Sequence, residues 1–225
     1  MSNLQALVFD AYGTLYDVHS VTARAETLFP GKGAAVSQLW RQKQLEYSWL
    51  RSLMGTYADF NRVTGDALQY ALAALKLDAG KEAVAALLGQ YVHLSPFPEV
   101  PAALRELRVS RKLAILSNGA PDTLNALVDN SGLAPLFDAV LSVDAIGAYK
   151  PDMRIYQLAE RQLGIARERI GFVSSNCWDA VGAATYGYTV FWINRLNAPA
   201  DLHGSAPHHV IGALDQIAPL LKAAH

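Results

Sequence analysis

The chain has 225 residues, 52% hydrophobic and 17% charged, enough for one large domain, or a domain with an insert, around a sizeable core. Nineteen basic residues against twenty acidic ones give a net charge of −1 with no block of like charge, which disfavours a phosphate-tracking nucleic-acid surface. The single cysteine, Cys177, excludes an internal disulfide or a cysteine-built metal cluster. No apolar run reaches the ~18 residues of a membrane helix and the start lacks the basic-then-apolar pattern of a signal peptide, so a cytoplasmic protein is expected.

The first predicted element is a strand over Leu4–Phe9. About a hundred residues without a convincing strand follow it. In their place, Val36–Leu53 carries Val36, Leu39, Trp40, Tyr47 and Leu50 at helical spacing, and Phe60–Leu75 and Lys81–Leu94 continue the pattern. Ser95–Pro101, with three prolines, reads as a return linker. Beyond it, apolar runs at Leu113–Leu116, Ala139–Val143, Ile170–Val173, Thr189–Ile193 and His209–Ile211 predict further strands. Several are continuous rather than alternating, as in a parallel sheet covered on both faces. Helices are predicted between them over Pro121–Asn130, Pro151–Leu163 and Asp179–Tyr186, each followed by a glycine. The expected class is α/β, a doubly wound, Rossmann-like parallel-sheet core formed by 1–15 and 96–225, with a helical cap domain inserted over 16–95.

Open α/β sheets bind ligands at the carboxyl ends of their strands. There the sequence places Asp10-Ala11-Tyr12-Gly13-Thr14, Ser117-Asn118-Gly119, Tyr149-Lys150-Pro151 and Ser174-Ser175-Asn176-Cys177-Trp178-Asp179. Any one polar group at a strand end is ordinarily a turn or cap residue. A carboxylate, a lysine, hydroxyls, amides and a second carboxylate at one sheet edge point instead to chemistry. Pro151 suggests that Lys150 stands at a helix start, where the dipole disfavours a cation. In the predicted long helix, Arg41, Leu45 and Trp49 share a second face at i, i+4, i+8, which suggests that this helix closes over the sheet edge.

The segments FDAYGT, SNG, YKP and SSNCWD resemble motifs one to four of the haloacid dehalogenase superfamily, and more narrowly those of its L-2-haloacid dehalogenases, over the whole chain. The resemblance implies that Asp10 is a nucleophile forming an ester with C2 of a haloacid, releasing halide and inverting C2. Lys150 would keep Asp10 ionised and oriented, and Asp179 would activate the water that hydrolyses the ester. Ser174 and Asn176 would hold Lys150, Asp179 and the water, Thr14 would hydrogen-bond Asp10, and Tyr156 would lie near the site. Ser117 and the backbone at Ala11 would grip the substrate carboxylate. Asn118 and Arg41 would cradle the departing halide. Tyr12, Gln42, Leu45, Phe60 and Trp178 would line the pocket. Cys177 reads as a small buried side chain, not a nucleophile.

Two departures narrow the function further. The superfamily's phosphatases carry a second aspartate two places after the nucleophile, as acid for the leaving group; here Tyr12 stands in that position, and a halide needs no proton. Asn176 replaces a potential acidic ligand in motif four, leaving a poor set for Mg²⁺. The expectation is no metal and no cofactor, a haloacid substrate, and a homodimer by analogy. A Mg²⁺-dependent phosphatase or phosphonatase of the same fold, a phospho-acceptor receiver module and an inactive scaffold are the competing readings.

Overall fold

The computed structural model describes residues 3–201 and 203–222, so the outer limits of the expected core, 1 and 225, lie outside the described residues. Six parallel strands, β1 (Ala6–Phe9), β2 (Lys112–Ser117), β3 (Ala139–Ser142), β4 (Ile170–Ser174), β5 (Thr189–Ile193) and β6 (His209–Ile211), form one sheet in the order β3-β2-β1-β4-β5-β6. Every residue of β1 and β4 is buried, so these two strands read as unbroken apolar runs. The order reverses beside β1, which opens a crevice at the carboxyl ends of β1 and β4. Asp10 follows one of these strands and Ser175 the other.

Between β1 and β2 lie α1 (His19–Leu28), α2 (Gly33–Met54), α3 (Phe60–Ala74), α4 (Lys81–Leu88) and α5 (Val100–Arg108). The core helices that follow are α6 (Pro121–Asn130), α7 (Met153–Leu163), α8 (Cys177–Tyr186) and α9 (Ile217–Lys222). Among the described residues no helix is long and apolar enough to cross a membrane. The chain leaves and re-enters the sheet layer through two adjacent crossings. Asp17 N donates to Ser95 O at 2.9 Å and Phe97 N to Leu15 O at 3.0 Å, with an antiparallel bridge between Tyr16 and Pro96.

Several expected elements shift, among them the helix expected from Asp179, which begins at Cys177. The helix expected from Pro151 begins at Met153, because Asp152 is the cap and its carboxylate accepts Arg154 N at 2.9 Å. Lys150 therefore precedes the helix, and the expected conflict with its dipole does not arise. The helix expected over Lys81–Leu94 ends at Leu88 and tightens into a 3₁₀ turn, Gly89–Val92. In α2 the expected stripe fails at Leu50, which is exposed. The row that α2 buries is Val36, Trp40, Gln44 and Ser48, at i+4 steps. Gln44 enters the core because its Nε2 donates to Thr64 Oγ1 at 3.1 Å and to Tyr91 Oη at 3.0 Å, so a buried amide goes satisfied.

Candidate active site

The turn after β1 is built on one carbonyl. Ala11 O accepts Thr14 N at 3.2 Å, Leu15 N at 2.9 Å and Tyr16 N at 3.1 Å, and this folds Thr14 back beneath Asp10. Thr14 Oγ1 donates to Asp10 Oδ2 at 3.1 Å and itself accepts Ser175 N at 2.8 Å. Asn176 Nδ2 donates to the same Asp10 oxygen at 3.0 Å. Lys150 Nζ donates to Asp10 Oδ1 at 3.1 Å and to Asp179 Oδ2 at 2.9 Å. Tyr156 Oη donates to Asp179 Oδ1 at 2.9 Å. Two carboxylates thus share one buried ammonium, and every carboxylate oxygen has a donor.

The lysine is fixed at its backbone as well as its tip. Its N–H donates to Asn118 Oδ1 at 3.1 Å, and the neighbouring Tyr149 N donates to Ser52 Oγ of α2 at 2.9 Å. The Lys150–Pro151 peptide is cis. Burial on its own lowers the lysine's pKa, but the two carboxylates outweigh it and hold the ammonium above its ordinary range. For Asp179 the balance goes the other way. Burial raises its pKa more than Lys150 lowers it, since Asp179 shares that cation with Asp10. The lysine's direction governs the pair, because an ammonium with two carboxylate oxygens within hydrogen-bond distance stays charged. Burial, and then the Asp179 charge, push the Tyr156 phenol far up, so it remains a donor.

Glycines make room for two of the aromatics. A Cβ on Gly119 would come within 3.0 Å of the Tyr12 ring and hydroxyl, and one on Gly182 within 2.5 Å of Tyr156 Oη. Tyr12 is buried and stacks on Phe60, with centroids 6.4 Å apart. Burial raises its phenol well above the usual range, so Tyr12 stands as a neutral wall where an ionised acid could have stood.

The remaining expected residues are dispersed around this centre. From α2, Arg41 reaches Asn176 Oδ1 at 3.4 Å, and Trp49 meets Trp178 edge-on, with centroids 5.4 Å apart. Leu45 between them is half-buried. Gln42, expected in the pocket, is exposed, because it lies one position round the helix from Arg41. Ala11 and Ser117 are buried, and Ser117 Oγ accepts Gly119 N at 3.1 Å. The expected contacts of Ser174 and Asn176 with Lys150 and Asp179 are replaced by others. Ser174 Oγ accepts Asn176 N at 3.1 Å, closing the turn, and the Asn176 side chain bridges Asp10 to Arg41. Cys177 is half-buried rather than buried, with Sγ accepting Asp201 N at 3.3 Å. A cleft of about 710 Å³ opens beside the site, walled by Trp49, Leu53, Tyr149, Lys150 and Trp178.

Sequence reasoning assigns Ser175 no role, although its backbone N–H holds Thr14. Two adjacent serines after a strand carry no sign of which will serve the site. Among the described residues no three His, Cys, Asp or Glu side chains converge as a metal-binding set. The donors present do not suit a hard dication, because the place between the two carboxylates is taken by an ammonium.

The family profile for haloacid dehalogenase-like hydrolases matches residues 4–187. The chain is a haloacid dehalogenase-like hydrolase. Among this family's members, the (S)-2-haloacid dehalogenase of Pseudomonas sp. (strain YL) is 48% identical over 225 residues, spanning 100% of this chain and 97% of that protein. Haloacetate dehalogenase H-2 of Moraxella sp. (strain B) is 48% identical over 98% of this chain and 99% of its own length. Among solved structures, the L-2-haloacid dehalogenase of Xanthobacter autotrophicus with chloropropionic acid covalently bound superposes with a TM-score of 0.93. It is 42% identical and covers 99% of this chain and 100% of its own.

Proposed function

We propose that this hydrolase cleaves the carbon–halogen bond of short L-2-haloacids, giving D-2-hydroxyacids and halide. The observation that carries the reading is the Asp10–Lys150–Asp179 arrangement with Tyr12, not an acid, two places after the nucleophile. Asp10 attacks C2 from the side opposite the halogen. The C–X bond breaks as the new C–O bond forms, and the halide leaves with the electron pair, so no acid is required. Arg41 and the Asn118 amide meet the developing charge. Ser117 and the backbone at Ala11 hold the substrate carboxylate, while Tyr12, Leu45, Phe60 and Trp178 exclude water.

Hydrolysis then uses the second carboxylate. Asp179 takes a proton from a water that attacks the carbonyl carbon of the Asp10 ester; the bond from that carbon to the substrate oxygen then breaks, one of the two water protons goes to that oxygen and the other to solvent, and the hydroxyacid leaves with Asp10 and Asp179 regenerated as carboxylates. A base whose pKa is raised by burial is the stronger base for this step. Lys150 and Tyr156 hold Asp179 in place, and Lys150 orients Asp10. Thr14 and Asn176 hold the other oxygen of Asp10.

The mechanism needs no metal. It divides the chain into a core of 1–15 and 96–225 and a cap of 16–95 that supplies Arg41. The test is halide release from L- and D-2-chloropropanoate with excess chelator present. Release from the L form alone, unaffected by chelator, is the expected result. Phosphatase turnover that returns with Mg²⁺ would place the protein in the phosphatase branch instead. A homodimer is also proposed, with Leu50, Leu53, Met54 and Tyr70, which α2 and α3 leave exposed, buried between copies. Sedimentation at several concentrations should give twice the chain mass; a monomer throughout would refute the pairing.

A further inference from the structure

Arg195 has no part in the chemistry above, yet it grips the turn that carries it. It stands just after β5, on a turn that Asn194 ties at both ends. Asn194 N donates to Ile211 O at 2.7 Å, Asn194 Nδ2 to Ala198 O at 2.9 Å, and Asn194 Oδ1 accepts Ala198 N at 2.8 Å. The guanidinium makes three contacts. One terminal nitrogen donates to Thr14 O at 3.2 Å and lies 2.7 Å from Glu99 Oε1, and the guanidinium carbon lies 3.7 Å from the centroid of the Phe97 ring. Arg195 and Glu99 are each 19% exposed at the side chain, so this pair is better shielded than an ordinary surface ion pair.

The positions of the three partners give these contacts their meaning. Thr14 ends the catalytic turn, at the point where the chain leaves for the inserted helices. Phe97 and Glu99 lie where it returns. Arg195 therefore ties outgoing chain, returning chain and sheet edge together at one guanidinium. Thr14 is otherwise held by its N–H, which donates to Ala11 O, and through its side chain, by Ser175 N and Asp10. Its carbonyl is the one free handle on its backbone, and Arg195 takes it.

We propose that Arg195 is a positioning residue for the displacement step. It clamps the two chain crossings and, through the Thr14 carbonyl, sets the Thr14 hydroxyl on Asp10 Oδ2. The proposal rests on the reading of Asp10 as nucleophile. Arginine suits the place because a terminal nitrogen of its planar head can sit between a carbonyl and a carboxylate while the face of that head stacks on an aromatic ring. An error of a fraction of an ångström in the nucleophile's aim acts on chemistry more than on binding.

The test compares the wild type with Arg195→Met, which keeps the stem over Phe97, and Arg195→Lys, which keeps the charge without the planar head. Arg195→Met should lower kcat for halide release roughly tenfold or more with KM little changed, and Arg195→Lys should recover part of the loss. In a Thr14→Val background Arg195→Met should add little, because both act through one hydrogen bond. Backbone amide exchange at Asp17 and Phe97, the two N–H groups pairing the crossings, should quicken in Arg195→Met. Losses that simply add in the double variant, or a kcat and exchange equal to wild type, overturn the proposal. A wild type that releases no halide refutes the dehalogenase reading instead, and the exchange rates then decide by themselves whether Arg195 clamps the crossings.

Discussion

Asp10→Asn is expected to release no measurable halide, a loss on the order of 10⁴-fold or more, while the chain stays folded. The amide is a poor nucleophile toward C2, and Arg41, Asn118 and Ser117 cannot replace the bond that Asp10 forms. The fold should survive because the amide oxygen of the variant can still accept from Thr14 or Asn176, and Lys150 keeps Asp179 as its anionic partner. The result is read by halide release alongside a urea unfolding curve of the variant. A complementary experiment runs the wild type with excess enzyme in ¹⁸O-water. Attack at the ester carbonyl carbon places the label in Asp10, whereas direct attack of water on C2 places it in the product. Wild-type turnover by Asp10→Asn, or label found only in the hydroxyacid after a single turnover, would refute the covalent route.

The parts of this site that the sequence reveals are those a buried parallel sheet makes conspicuous. β1, β2 and β4 are buried throughout or nearly so, and stand out as unbroken apolar runs. Whatever follows them must lie at one edge, so Asp10, Ser117 and the 174–179 segment declare themselves by position. Lys150 follows β3 at more distance, and its place is legible from the motif rather than from the strand. Other features escape because their cause is tertiary. α5 hides in a proline-rich stretch, yet Pro101 falls in its first turn, where a missing N–H costs nothing. α1 buries only Val21 and Ala25, too thin a stripe to count as a face. Gln44 looks like a surface residue until Thr64 and Tyr91, distant in sequence, arrive to bond it. Arg195 looks like one more surface arginine, because nothing near it in the chain shows that Thr14, Phe97 and Glu99 will meet it.

Lys150→Met should cost about 3–5 kcal/mol of stability as well as activity, because it strands two buried carboxylates beside each other without their shared cation. Methionine keeps the length of the stem, so the loss reports the charge rather than a cavity. The pH dependence separates this account from simple mispacking. In the wild type Asp179 is raised above its ordinary 3.8, by burial first, with Lys150 pulling it back. Without the ammonium that restraint goes and the nearby Asp10 charge remains, so Asp179 rises further. A carboxyl whose pKa is higher in the folded than in the unfolded chain gives stability that is complete below its unfolded value and is lost as pH climbs through its folded value. Lys150→Met should therefore lose more stability than the wild type as pH climbs above the ordinary 3.8 of Asp179. Lys150 itself is held above its ordinary 10.5, so its contribution is complete below that value and fades only as pH climbs through the raised one. The wild type should show that alkaline decline and the variant should not. Urea unfolding of both proteins across this range decides it. Parallel profiles would mean that the ammonium does not balance the two carboxylates, and the view of Lys150 as the charge that orients Asp10 would fall with it.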